Sequence, residues 1–284
     1  MIKKPRVHLI DLHHQGNERV IGSYLLDTPD GPALHDCGPA TAFDALKAGL
    51  ATQGLELQDV RHLLLSHIHL DHAGAAGALV REHAGLQVHV SAIGAPHLVD
   101  PSRLESSARR LYGEAFDTLW GTLAPVPEEN VRVVADRVLR FDCFPAPGHA
   151  SHHVCYLDPD EGTLLAGDAV GVRIHPARFV LPPTPPPDID LEAWERTLRE
   201  IERRTPERLA LTHYRVADDV DAHLAELRER LARWGERVRA GMSSEEFVAA
   251  AEAELPRDEL ALYENAVPPW QCYLGLRRYW DKAA

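Results

Sequence analysis

His67, His69, Asp71 and His72 crowd into the run His-Ile-His-Leu-Asp-His, directly after Leu63-Leu64-Leu65-Ser66. The short apolar run reads as a buried strand, so the cluster is delivered at a strand end. Imidazole and carboxylate side chains suit zinc, and also iron or manganese. Four such groups within six residues exceed what one small ion needs from a single loop, and this points to two metals side by side. Three more candidates each close a strand-like run. His149 follows Phe144-Pro145-Ala146-Pro147-Gly148, Asp168 follows Leu164-Leu165-Ala166-Gly167, and His213 follows Leu209-Ala210-Leu211-Thr212. An open sheet can bring such strand ends from distant sequence onto one edge. With 17 histidines in the chain, the others need no functional reading. His8, His13, His14, His35, His62, His83, His89, His97, His175 and His223 are read as surface or packing residues.

Short strands open the chain at Val7 to Ile10, Ser23 to Leu26 and Pro32 to His35, the last leading to Asp36-Cys37-Gly38. A helix over Thr41 to Thr52, a strand over Val60 to Ser66, a helix over Gly74 to His83 and a strand over Gln87 to Ser91 follow. His97 to Leu123 is polar and helical, with Tyr112, Phe116 and Trp120 at four-residue spacing and so on one helix face. Strands return at Val131 to Val134, Arg137 to Phe144, Val154 to Leu157 and Thr163 to Ala166. Leu181 to Pro187 is a proline tract and an irregular connection. A helix over Asp190 to Arg204 precedes a strand over Leu209 to Thr212. From Asp218 the chain is helical. Val220, Leu224, Leu227, Leu231, Trp234 and Val238 form an apolar seam, and Ser243 with Glu246 forms a capping box. The alternation of strands and helices implies helix layered over sheet.

Bulk properties narrow the partners. The 284 residues carry a formal net charge of −13 with no basic stripe, which argues against a nucleic-acid backbone as main partner. No run of 18 apolar residues is present, so no transmembrane helix is expected. The apolar stretch after the basic residues 1–6 is too short for a signal peptide. Cys37, Cys143, Cys155 and Cys272 form no CxxC pair and read as reduced thiols of a cytoplasmic protein.

The pattern His67-x-His69-x-Asp71-His72, then His149, Asp168 and His213, with Asp36 in His35-Asp36-Cys37-Gly38, resembles the metallo-β-lactamase superfamily over about residues 1 to 215. The resemblance implies a four-layer αββα sandwich as catalytic domain over 1–217, with a helical insertion at about 97–123 and a helical C-terminal extension over 218–284. It implies that His67, His69 and His149 hold one metal and that Asp71, His72 and His213 hold a second. Asp168 would bridge the two, and Asp36 would orient their loop. Two divalent ions, zinc foremost with iron or manganese as alternatives, would supply a bridging hydroxide. An aspartate bridge is similar to that of the hydroxyacylglutathione hydrolase and lactonase branch, rather than that of the antibiotic-degrading members.

The implied activity is hydrolysis of a small ester, thioester or lactone. Asp71 would help move the proton, Tyr214 would donate a hydrogen bond to the substrate oxygen, and Arg173 would bind a substrate carboxylate. Tyr214 also reads as a packing residue and Arg173 as a structural ion pair. The alternative activity is that of a mononuclear-iron oxidoreductase of the persulfide dioxygenase type. The expected partner is a small-molecule substrate, with neither nucleic acid nor membrane. The aromatic-rich tail packs beside the metal edge or forms a homodimer surface.

Overall fold

A computed structural model describes residues 7–283. The basic segment 1–6 lies outside the described residues. The chain divides into two compact units, one running to Phe144 and the other from Pro145.

The first unit begins with an antiparallel meander of β1 (Val7–Asp11), β2 (Gly22–Thr28) and β3 (Gly31–His35), with Tyr24 opposite His35. Three strands then add in parallel: β4 (His62–Leu64), β5 (Gln87–Val90) and β6 (Val131–Val133). Parallel neighbours need crossovers. These are α1 (Phe43–Thr52), then α2 (Leu70–Ala73) with α3 (Ala76–Glu82), then α4 (Ala95–Val99), α5 (Ser102–Tyr112) and α6 (Phe116–Trp120). A hairpin of β7 (Arg137–Val138) and β8 (Phe141–Pro145) follows. The parallel pairing sets His35 opposite Leu64, so Asp36 and the His67 loop leave the sheet at the same end.

The details differ from the sequence reading for local reasons. Strand β4 stops at Leu64 because Ser66 turns its amide to the Asp36 carboxylate. The helix expected over Gly74 to His83 starts earlier, at Leu70, inside the histidine run, and breaks where the Ala75 amide bonds the Gly38 carbonyl. The insertion is two helices, α5 and α6, with a break at Gly113. Its aromatics still converge, since Phe116 and Trp120 bury against Leu70 with Tyr112 packed alongside. Leu70 sits between His69 and Asp71, so the insertion is anchored on the histidine run itself.

The second unit contains β9 (Val154–Asp158), β10 (Thr163–Leu165), β11 (Arg208–Leu211) and β12 (Arg215–Ala217). β9 and β10 are antiparallel, and so are β11 and β12. β10 and β11 are parallel, joined by the crossover helix α7 (Leu191–Arg204), which Asp190 caps. Strand β12 carries too weak a pattern to be read from sequence. The tail forms α8 (Val220–Arg239), α9 (Ser244–Glu254), α10 (Leu260–Ala266) and α11 (Pro269–Ala283). The seam of α8 is buried from Leu224 to Val238, and the Ser243–Glu246 capping box forms. Trp234, Phe247, Tyr263, Cys272 and Leu276 of the tail share one core with Val172, Ile174, Phe179 and Leu181. The four cysteines are buried and unbridged. Among the described residues no helix is long and apolar enough to cross a membrane.

His223 ties α8 to the turn that follows β10. Its Nε2–H donates to the Val170 carbonyl at 2.8 Å, and burial pushes its pKa down to about 4 despite that bond. The unfolded chain therefore binds this proton more readily than the folded one. Stability from this group is complete above about pH 6.5 and declines as pH falls towards 4, by on the order of 3 kcal/mol. Urea titrations between pH 7 and 4 should show this slope in the wild type and a shallower one in His223→Gln. Equal slopes would remove His223 from the account.

Candidate metal centre

In the first unit the donors are organised by one carboxylate. Asp36 is fully buried at the end of β3. Its Oδ1 accepts the Ser66 amide at 2.8 Å, and its Oδ2 accepts the Ser66 hydroxyl at 2.9 Å and His72 Nδ1–H at 2.8 Å. Burial alone would raise the Asp36 pKa. His35, 3.8 Å away, and His72, together with the hydrogen bonds from His72 and Ser66, outweigh burial and hold it well below the usual carboxylate range.

The consequence passes to the histidines. The Ser66 hydroxyl spends its proton on Asp36, so His67 Nδ1–H donates to the Ser66 oxygen at 2.9 Å. Both His67 and His72 are thereby locked in the tautomer that presents Nε2 as a lone-pair donor. His67 Nε2 lies 2.9 Å from His69 Nδ1, and His72 Nε2 lies 3.7 Å from Asp71 Oδ2. His69 heads α2, whose single turn carries Asp71 and His72. His67 with His69, and Asp71 with His72, belong to groups able to hold a metal ion.

The second unit brings its three candidates together as well. His149 Nε2 is 3.5 Å from Asp168 Oδ2, and His213 Nε2 is 3.7 Å from Asp168 Oδ1. All three residues are buried. The His149 loop reaches this place because Gly148 has φ +147°, and a Cβ there would lie 2.5 Å from Trp194 Cα. His149 Nδ1–H donates to the Pro183 carbonyl at 2.8 Å, so its Nε2 also carries the lone pair. The Asp168 amide donates to His153 Nε2 at 3.2 Å. Of the two histidines that follow His149, His153 is the buried one and His152 is half-buried.

Arg173 serves the backbone around His213. Its amide donates to the His213 carbonyl and its carbonyl accepts the Tyr214 amide. Its guanidinium donates to Asp219 at 2.6 Å and faces His223 Nδ1 at 3.5 Å. Tyr214 is half-buried.

Imidazole nitrogens with their far sides hydrogen-bonded, interleaved with carboxylates, are the donor chemistry that zinc, iron and manganese take. The residues present fit such ions. Three contributors went unread in the sequence. Ser66 stands next to His67 yet has no metal-ligand chemistry to flag it, the Pro183 carbonyl is a backbone group, and His35 read as a packing residue.

The sequence model of the Metallo-beta-lactamase superfamily matches residues 16–213. The metallo-beta-lactamase fold-containing protein ST1585 of Sulfurisphaera tokodaii is 25% identical over 166 residues, 55% of this chain and 61% of its own length. The thioesterase pkgB of Emericella nidulans is 29% identical over 150 residues, 52% of this chain and 35% of its own length. The chain thus spans less than two thirds of each of these curated relatives. The crystal structure of ST1585 from Sulfolobus tokodaii superposes with a TM-score of 0.71 at 18% identity, over 97% of this chain and 99% of that one. The di-iron-bound structure of TTHA1623 gives 0.56 at 26% identity, over 72% and 91%. Two mixed sheets with their helices match the metallo-β-lactamase fold, extended at the C-terminus by helices.

If Asp36 sets the tautomers of His67 and His72, Asp36→Asn should weaken metal binding about 10–100-fold. Chelator competition with zinc measures this. An unchanged affinity in a folded variant would detach Asp36 from the metal.

Proposed function

This chain belongs to the metallo-beta-lactamase superfamily, and we propose that it is a metal-dependent hydrolase of a small ester, thioester or lactone. The observation that carries the reading is the orientation of the donors. His67, His72 and His149 each have Nδ1 engaged by an outer acceptor, which presents Nε2 to an ion. In the proposed assignment His67, His69 and His149 hold one divalent ion, Asp71, His72 and His213 hold the second, and Asp168 bridges. Such ions, when bound, lower the pKa of water to about 7 and polarise a substrate oxygen. Asp71, half-buried, takes the proton released as water attacks. Tyr214 donates a hydrogen bond from its hydroxyl to the substrate oxygen. His153 steadies Asp168 through its amide. The thioesterase among the relatives supports a thioester within the substrate class.

A carboxylate-bearing substrate would call for an arginine other than Arg173. The Arg173 guanidinium is committed to Asp219, so it is poorly placed to serve a substrate. Arg215, two residues past His213, is exposed, and its Nη1 sits 3.3 Å from His175 Nδ1. Arg178 is 86% exposed and approaches Asp219 only to 4.0 Å. We assign recognition of a substrate carboxylate to Arg215, with Arg178 beside the Arg173–Asp219 pair.

The di-iron-bound form of TTHA1623 supports iron as the second choice of metal, and the alternative activity is that of a mononuclear-iron dioxygenase. Metal analysis paired with a hydrolysis screen across lactones, thioesters and esters separates the two. Two ions per chain with thioester or lactone turnover support the hydrolase. One iron per chain with oxygen uptake overturns it. Within the screen, Arg215→Gln should raise KM for a carboxylate-bearing thioester roughly tenfold, the scale of one charge-assisted hydrogen bond, and leave KM for its neutral counterpart unchanged. Equal effects on both would dismiss Arg215 as the carboxylate contact.

A further inference from the structure

The proline tract Leu181-Pro182-Pro183-Thr184-Pro185-Pro186-Pro187, buried from Leu181 to Thr184, has two sides put to different uses. On one side the Pro183 carbonyl accepts His149 Nδ1–H at 2.8 Å. On the other the tract meets α11. Thr184 Oγ1 donates to the Cys272 carbonyl at 3.1 Å, Cys272 Sγ–H reaches the Pro182 carbonyl at 3.5 Å, and Arg278 Nε donates to the Pro187 carbonyl at 3.2 Å. The approach is as close as backbone allows, because a Cβ on Gly275 would lie 1.9 Å from the Thr184 carbonyl oxygen. Thr184 and Cys272 are fully buried.

The other tail helices grip the chain just upstream. Tyr263 of α10 donates its hydroxyl to the Phe179 carbonyl at 2.8 Å and accepts the Ile174 amide at 3.1 Å. Arg230 of α8 donates to the Val180 carbonyl at 2.7 Å. Next to Ile174, Arg173 holds the backbone of His213 and Tyr214. A segment rich in proline has few amides with which to anchor itself and little freedom in φ. Leu181 is anchored by an antiparallel bridge to Val172, and beyond it the placement of the tract depends on what packs against it, here α11 of the C-terminal extension.

We infer that the C-terminal helical extension is a positioning device for His149, acting through α11 and the proline tract to hold the Pro183 carbonyl against His149 Nδ1. The metal-affinity part of this inference rests on the proposed role of His149 as a ligand. Cys272, Gly275 and Thr184 are positioning residues, which act through the Pro183 carbonyl. The extension thus sets the imidazole's orientation and tautomer, and outer partners of this kind govern metal affinity.

The experiment uses the full chain and two readouts. In the wild type, the His149 Nδ1–H should give a protected imidazole proton signal by NMR. Gly275→Ala and Thr184→Val should each lose that protection and bind zinc about tenfold more weakly, with native circular dichroism. Thr184→Ser, which keeps the hydroxyl, should retain wild-type values. A protected signal and an unchanged zinc affinity in both folded variants would overturn the inference. A protected signal that is lost in the variants, in a wild type that binds no zinc, would leave the positioning intact and remove the metal reading instead.

Discussion

The carboxylate of Asp36 takes three hydrogen bonds in a fully buried place, and the first unit's functional end is built around it. A buried carboxylate is costly unless its lone pairs are met by donors. Ser66 and His72 meet them, and in doing so each loses its freedom to turn. Ser66 becomes an acceptor for His67, and His72 is pinned by one ring nitrogen. One buried charge therefore decides the outward face of two imidazoles. The parallel pairing of β3 with β4 makes this available, because it ends both strands side by side.

The second unit solves the same problem without a buried acid behind its histidine. His149 is oriented by a backbone carbonyl, and Asp168 is steadied through its amide by His153. Carbonyls are fixed acceptors only where the backbone is fixed, so the proline tract and the helices packed on it become part of the chemistry. The extension after Asp218 is continuous with this core. That places it with the 172–181 segment of the second unit.

Much of the fold was legible in local pattern. Strands β1, β2, β5, β9 and β10, helix α7, the seam of α8 and the Ser243 capping box all follow from periodicity and capping chemistry, which are properties of neighbouring residues. The histidine run and the later His149, Asp168 and His213 were legible as candidates because their side chains carry metal-ligand chemistry. Arg173 shows where that reading thins out. Residue type alone left it open between substrate and structure, and its partner Asp219 stands 46 residues away.

Sequence alone determined the donor types, their order and the superfamily they resemble, because those depend on which side chains are present and at what spacing. Tertiary structure decided which nitrogen of His67, His72 and His149 faces outward, that Ser66 relays Asp36 to His67, that a proline carbonyl holds His149, and that α11 closes on the tract through Gly275. Each of these is a hydrogen bond or close approach whose geometry is set by the packed backbone. Carbonyls, amides and tautomers look alike in every sequence until the fold gives them a partner.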